Sequence, residues 1–154
     1  MIKLAPLITK EKEAFQLERE GLLQIDIESQ IFGYTLRLYS NKQSDLDNKT
    51  YSKGYMNLAK DLPDERIGNP MWKRGYILVD HIKVDPKHQG YGYILYKNAL
   101  KLAQSKGYKG LTSFRKGRSI DASDIWEKLT SFSDENYDYL DIKDLGQRIT
   151  EYIK

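Results

Sequence analysis

Ten consecutive residues, Val84-Asp85-Pro86-Lys87-His88-Gln89-Gly90-Tyr91-Gly92-Tyr93, hold the chain's densest arrangement of groups able to do chemistry. An apolar run ends at a proline, two glycines follow one residue apart, and a helical pattern then begins. Successive backbone N–H groups at such a turn point outward, and the helix N-terminus adds a partial positive charge. Together they make an anion site suited to a pyrophosphate. Glycine at these positions would let the phosphates approach the backbone closely. The segment is not a P-loop, because GxxxxGK followed by Ser or Thr is absent, and the third glycine of a dinucleotide fingerprint is missing. Just upstream stand Asp80 and His81. Histidine titrates near neutrality and can take a proton directly or through water, and a carboxylate can bind a cation or act as a base when burial raises its pKa. Each residue also has a plain structural role open to it, His81 as a hydrogen-bonded sheet histidine and Asp80 as the ion-pair partner of a lysine.

The elements that must position these groups follow from periodicity. Lys10 to Glu20 is charged and suits a short first helix, with Phe15 and Leu17 also compatible with extended chain. Leu22 to Glu28 alternates through Leu23, Ile25 and Ile27, and Phe32 to Tyr39 through Tyr34, Leu36 and Leu38, with a short polar break that predicts an antiparallel hairpin. Asn41 to Lys73 is polar and holds Asp45, Asp47, Asp61, Asp64 and Glu65. It reads as a long functional excursion with some helix around Tyr55 to Lys60, and its acidity would suit a cationic amine or a solvated loop equally. Gly75 to Val84 carries apolar residues on both parities, which predicts a central strand covered on both faces, and Pro86 ends it. Leu95, Ala99 and Leu102 share one face of a helix from about Gly92 to Lys106, with Gly107 as its stop. Tyr108 to Phe114 is a strand, completing a βαβ-like unit. A helix carrying Ala122, Trp126 and Leu129 on one face follows, capped by Ser119 or Asp121, and then a strand over Tyr137 to Ile142. The tail Gln147 to Ile153 suits a helix or a hairpin partner, with preference for the hairpin.

Composition narrows the functional classes. The 154 residues suit one compact domain. The chain has no cysteine, which excludes disulfides, thiolate metal sites and a cysteine nucleophile. With two histidines, His81 and His88, a His-based metal centre would need carboxylates to complete it, and no metal is expected. The N-terminal residues contain no long apolar run, so neither a signal peptide nor a membrane span is expected, and a cytoplasmic protein is the simplest inference. The net charge of +3 helps a phosphate-bearing ligand without diagnosing a nucleic-acid binder. Lys106 to Arg118, with Tyr108 and Phe114 interleaved, is what such a binder would use, but no recognisable RNA or DNA module accompanies it.

The stretch Val84-x-Pro86-x-x-Gln89-Gly90-x-Gly92 resembles the acetyl-CoA signature of the GNAT superfamily, a valine and proline followed by Q/R-x-x-G-x-G/A. Ala99, Ala103 and Gly107 to Leu111 resemble that family's helix and following strand. Ser119-x-x-Ala122-x-x-Ile125-Trp126-Glu127-Lys128-Leu129 resembles its later helix, commonly N-x-x-A-x-x-hydrophobic-Y-E-K-L, and Phe132 echoes the Gly-Phe that often follows. The resemblance spans Gly75 to Ile142 and implies an α/β (α+β) class: a single GNAT-like domain whose mixed central sheet of about six to seven strands is flanked by helices. Its parts would be an N-terminal helix and hairpin region (1–40), the excursion (41–74), an acetyl-CoA-binding core (75–142) and a C-terminal strand or helix (143–154).

By the same resemblance the activity would be transfer of an acetyl group from acetyl-CoA to a primary amine of a small molecule, peptide or protein. The alternative is a catalytically silent module of the same fold that binds a protein or nucleic acid. Gln89, Gly90, Tyr91, Gly92 and Tyr93 would wrap the pyrophosphate, largely through backbone amides. Ile82, Lys83 and Val84 would offer strand-edge hydrogen bonds to the pantetheine arm. Ser119 stands where the family often has an asparagine touching that arm, and Arg115, Lys116 and Arg118 would meet the adenosine 3′-phosphate or simply be solvated. Asp80 or His81 would serve as base, and Tyr137 or Tyr139 as acid. Three departures stand out, one being that no glycine lies in the Thr130-Ser131-Phe132 stretch. Ile94 occupies a position usually held by glycine or alanine, and Trp126 replaces the tyrosine that commonly protonates the leaving thiolate, a role closed to an indole N–H. The acceptor, the acyl chain length and a homodimer are left open.

Overall fold

The computed structural model describes residues 4–60, 75–114, 118–129, 132–133 and 137–141. In chain order the elements are α1 (Leu4–Arg19), β1 (Leu23–Gln30), β2 (Gly33–Ser40), α2 (Gln43–Asp47), β3 (Ser52–Ala59), β4 (Tyr76–Val84), α3 (Tyr91–Ser105), β5 (Gly110–Phe114), α4 (Ile120–Leu129), β6 (Phe132–Ser133) and β7 (Tyr137–Asp141). They form a single mixed α+β domain on one seven-stranded sheet, ordered β1-β2-β3-β4-β5-β7-β6. The β4–β5 pairing is parallel and the others are antiparallel. Among the described residues, no helix is long and apolar enough to cross a membrane.

The first hairpin forms as its alternation dictates, Gln30 pairing with Gly33 across the turn. Tyr34, Leu36 and Leu38 are buried, whereas Ile27 on edge strand β1 is 49% exposed. Helix α3 lays Leu95, Ala99 and Ala103 against β2 to β5 and also packs on α1. A Lys97–Glu18 ion pair joins these two helices, and Asn98 Nδ2 donates to the same carboxylate at 2.9 Å. Helix α4 starts at the cap its sequence offers, for the Ala122 N–H donates to Ser119 Oγ at 3.1 Å.

Two expectations are corrected here. Tyr55 to Lys60 is not helical: Met56 and Leu58 alternate with half-buried Tyr55 and Asn57, and the segment pairs with both β2 and β4 as β3. Residues 41–60 are therefore not loop but a short helix and a strand. Asp45 is no lure for a substrate amine either. Its carboxylate accepts from Ser40 Oγ (2.5 Å), Thr50 Oγ1 (3.1 Å) and the buried Lys53 ammonium (3.0 Å). The remainder of the expected excursion, residues 61–74, and the tail 147–153 lie outside the described residues.

The Ser40 hydroxyl above all, then Lys53 and Thr50, hold the Asp45 carboxyl below its ordinary pKa against the opposing pull of burial. A depressed carboxylate pKa contributes stability above the unfolded-state value and loses it as pH falls through the folded-state value. Asp45→Asn is therefore expected to cost on the order of 2 kcal/mol at pH 7, since Lys53 loses its charged partner. Thermal unfolding from pH 7 downward should show the gap between variant and parent narrowing as the pH falls below the ordinary carboxylate value of about 4, and closing only at the lower pH where the folded parent carboxylate itself protonates.

Candidate functional site

The site is made by a strand pair that stops pairing. Tyr76, Ile77 and Leu78 of β4 match Gly110, Leu111 and Thr112 of β5, and there the ladder ends, although β4 runs on to Val84 and β5 to Phe114. On its other side β4 stays paired with β3 as far as Val84. From Val79 onward the β5-facing edge of β4 is thus unpaired among the described residues, and alternate residues present N–H and C=O groups into a cleft. The cleft opens toward the carboxyl ends of two parallel strands, where α/β crevices take ligands. Helix α3 begins at that end, directly after the β4 turn, with its first-turn amides unsatisfied within the helix.

That turn depends on backbone geometry. Residues 85–90 join β4 to α3 through a cis Asp85–Pro86 bond, with positive φ at His88 (64°) and Gly90 (80°). Both glycines of the motif sit in tight packing. A Cβ on Gly90 would stand 2.9 Å from the Glu11 Cα and from the Lys10 carbonyl oxygen of α1, and one on Gly92 would stand 3.2 Å from the Ile125 side chain of α4. The helix start is thereby wedged between α1 and α4. Tyr93 and Ile94 turn inward and are buried in the core, so the extra bulk of Ile94 points away from the turn. Gln89 and Tyr91 are half-buried, and Lys87 and His88 are exposed. Burial, and then the Asp45 charge, push the Tyr91 phenol above its ordinary pKa, so the α2 carboxylate lies within electrostatic reach of the turn.

A register shift falls between Asn57 and Leu58: Asn57 is opposite His81 and Leu58 opposite Val79, leaving Asp80 as the extra residue of a bulge. The bulge switches the parity of β4. Ile77 and Val79 belong to the core before it, and Ile82 and Val84 pack on the core after it. His81 consequently emerges on the opposite, open face and is exposed, as are Asp80 and Lys83. The two parities of apolar residues in β4 therefore record a bulge more than burial on both faces, with Leu78 alone buried on the second face.

Partners in register share a face. Following Asn57 to Ala59, Leu78, Thr112 and Tyr139 across the sheet puts His81 and Tyr139 on the same face, on the two sides of the cleft. Tyr139 is 7% exposed and its ring lies 5.0 Å from that of Tyr76. Tyr137 stands opposite Phe114 in the register. Trp126 is fully buried, and its indole N–H donates to the Tyr96 hydroxyl at 2.9 Å. Burial drives the Tyr96 phenol far above its ordinary pKa. The Arg118 guanidinium lies over the Trp126 ring at 5.6 Å, while Arg115 and Lys116 lie outside the described residues. Ser119 is exposed and engaged as the α4 cap.

The sequence pattern does not single out Tyr55 and Asn57, because Tyr55 to Lys60 reads as helix. The Tyr55 ring lies tilted against that of His81 with centroids 5.4 Å apart, and Asn57 Oδ1 accepts from Thr35 Oγ1 at 2.9 Å. The alternation of buried Met56 and Leu58 with half-buried neighbours was the available signal. Among the described residues, no group of three or more His, Asp or Glu residues is arranged to hold a metal ion.

Sheet order, splayed strand pair and helix placement agree with the fold that the sequence resemblance implies. The chain is similar to a tyrosine-to-phenylalanine mutant of the AtaT toxin, bound to the C-terminus of the antitoxin AtaR and acetyl-CoA, with a TM-score of 0.52 and 16% identity over 83% of this chain and 98% of that one. It is also similar to AtaTR bound with acetyl-CoA (TM-score 0.49, 17% identity, 86% of this chain and 75% of that one). A tyrosine-to-phenylalanine mutant of KacT gives a TM-score of 0.49 at 16% identity, covering 76% and 75%. No protein-family model matches the chain, and no curated protein matches it in sequence.

Proposed function

We propose that this chain transfers an acetyl group from acetyl-CoA to a primary amine. The observation that carries the proposal is the open β4 edge leading to the N-terminus of α3. A pantetheine arm offers two amides to pair with the edge at Ile82, Lys83 and Val84, and a pyrophosphate matches the amides of residues 89–93, the Ile94 N–H being given to the Gly90 carbonyl. The groups present therefore fit acetyl-CoA as donor substrate, and the fold is shared with a toxin whose structure contains it.

In this reading the turn and strand edge bind and orient the donor, and a β4 N–H near Ile82 stabilises charge developing on the carbonyl oxygen. His81, exposed beside the bulge, takes the proton from the attacking ammonium, with Asp80 next to it to attract the cation. The C–N bond forms, the C–S bond breaks, and the departing thiolate receives a proton. Trp126 is sealed in the core with its N–H engaged, so Tyr139, across the cleft on the same face as His81, supplies that proton, or water does.

The burial of Trp126 also favours a second reading, a silent module that binds CoA without turnover. Calorimetry with acetyl-CoA, CoA and pantetheine, joined to a thiol-release assay over a panel of amines (a polyamine, an aminoglycoside, a lysyl peptide), separates the two. CoA is expected to bind at least about tenfold tighter than pantetheine, because only CoA reaches the amides of the turn. Lys87→Glu, a charge reversal on the exposed turn, should weaken CoA and leave pantetheine unchanged. CoA binding without thiol release from any amine would favour the silent module; equal affinity for CoA and pantetheine would remove the anion site from the proposal.

A further inference from the structure

The base assigned above stands on a strand bulge, where backbone pairing is interrupted and a side chain gains freedom to reorient. His81 is exposed, so core packing does not hold its ring. What does hold it comes from the neighbouring strand. The Tyr55 ring lies 5.4 Å from the His81 ring, inclined by 39°. Tyr55 stands opposite Lys83 in the register, one step along β3 from the bulge and diagonal to His81.

Tyr55 is itself well fixed. A Cβ on the preceding residue, Gly54, would stand 2.4 Å from the Lys83 carbonyl oxygen, so β3 and β4 approach unusually closely at this point. On one side Lys53 is buried and ion-paired with Asp45, and its carbonyl accepts the Asp85 N–H at 2.9 Å, tying β3 to the first residue of the donor turn. On the other, Asn57 is anchored by Thr35. Across the open face Tyr55 is opposite Arg37, whose guanidinium is held by Glu28 at 2.5 Å. The charged groups around the ring pair are thus Lys83 on β4, the Arg37–Glu28 pair from β2 and β1 with Asp26 opposite Arg37, and Asp80 at the bulge. The group in direct contact with the imidazole is an aromatic face.

We infer that Tyr55 is a positioning residue, which fixes the orientation of the His81 imidazole on the exposed face beside the bulge through ring contact. The inference rests on the reading of His81 as proton acceptor. Its contribution comes from the ring and not the hydroxyl, so phenylalanine should replace it and an aliphatic side chain should not.

The test uses the full chain with Tyr55→Phe and Tyr55→Leu, and circular dichroism confirms folding of each. Because the chain has two histidines, one substitution, His81→Gln, assigns the His81 ring protons in NMR spectra. Tyr55→Leu should move those resonances downfield as the ring current is lost, and Tyr55→Phe should keep them near their parent positions. With an amine that supports thiol release, Tyr55→Leu should lower kcat on the order of tenfold while the acetyl-CoA Kd and the amine KM stay within about twofold, the mark of a displaced base. Tyr55→Phe should keep the parent rate and pH profile. Unchanged His81 resonances and kcat in Tyr55→Leu would overturn the inference. A His81→Gln variant that binds acetyl-CoA and keeps its full rate would overturn both the base assignment and the role of Tyr55. Failure of acetyl-CoA to bind the parent would remove the donor reading alone, and the ring shift would still decide whether Tyr55 holds His81.

Discussion

Trp126→Ala is expected to destabilise the protein by about 3–5 kcal/mol, lowering Tm by roughly 10 °C. Trp126 is fully buried, at the junction of α4 with the main core cluster. Its ring meets Tyr96 edge-on with centroids 5.7 Å apart, an arrangement that aromatic quadrupoles favour. Its N–H donates to the Tyr96 hydroxyl, and the Arg118 cation lies over its ring. Alanine would remove the contact area, leave a cavity and take a buried hydroxyl's donor away, three losses that act in the same direction. Trp126→Phe keeps most of the volume and should cost about half as much, which would separate packing from the hydrogen bond. Trp126→Tyr carries the functional lesson. A tyrosine there matches the resemblance noted in the sequence, yet the position is closed to solvent, so the substitution should not raise the rate of thiol release. Denaturant titration of the three variants beside that assay checks each expectation, and a faster Trp126→Tyr enzyme would show that the position does face the chemistry.

Local pattern was sufficient wherever one element decided the outcome. The hairpin of β1 and β2, the apolar stripe of α3, the Ser119 cap and the turn between Pro86 and Gly92 all follow from residues close in sequence. It failed where two strands decided together. Apolar residues on both parities of β4 suggested burial on two faces, but the cause is a one-residue register shift that only the pairing with β3 defines. That same shift brings His81 out beside Tyr55. Tyr55 to Lys60 reads as helix because glycine, asparagine and alanine dilute the alternation of the strand, whose character is settled by β2 and β4 on either side. The Tyr55–His81 contact is 26 residues long-range in origin, and neither residue signals the other in the sequence. The sequence reads the glycines of the turn as room for phosphates, but not the left-handed φ of Gly90 or the atoms that fill the Cβ directions, since the α1 residues Lys10 and Glu11 lie about eighty residues upstream and Ile125 of α4 about thirty downstream.

Gly90→Val should abolish measurable CoA binding, with an affinity loss of at least about a hundredfold, and also destabilise the fold by about 2–4 kcal/mol. Two separate costs meet at this residue. Its φ of 80° is in the left-handed region, which a β-branched side chain adopts poorly. The direction its Cβ would take is filled as well, by backbone atoms of Lys10 and Glu11 at 2.9 Å, closer than real Cβ contacts come. Neither α1 backbone nor the turn can yield separately, so the start of α3 must shift and its amides must lose their aim. Gly21 isolates the first cost. It has nearly the same φ, 78°, and nothing within 4 Å of a would-be Cβ. Gly21→Ala should therefore cost only about 1 kcal/mol and leave CoA binding intact, whereas Gly90→Ala should combine a similar conformational cost with the clash and weaken CoA at least tenfold. Calorimetry on the folded fraction of each variant, at a temperature where circular dichroism matches the parent, reads affinity apart from stability. If Gly90→Ala bound CoA as tightly as Gly21→Ala does, the wedge of α1 against the turn would have no part in forming the donor site, and the amides of α3 would be aimed by α4 and β4 alone.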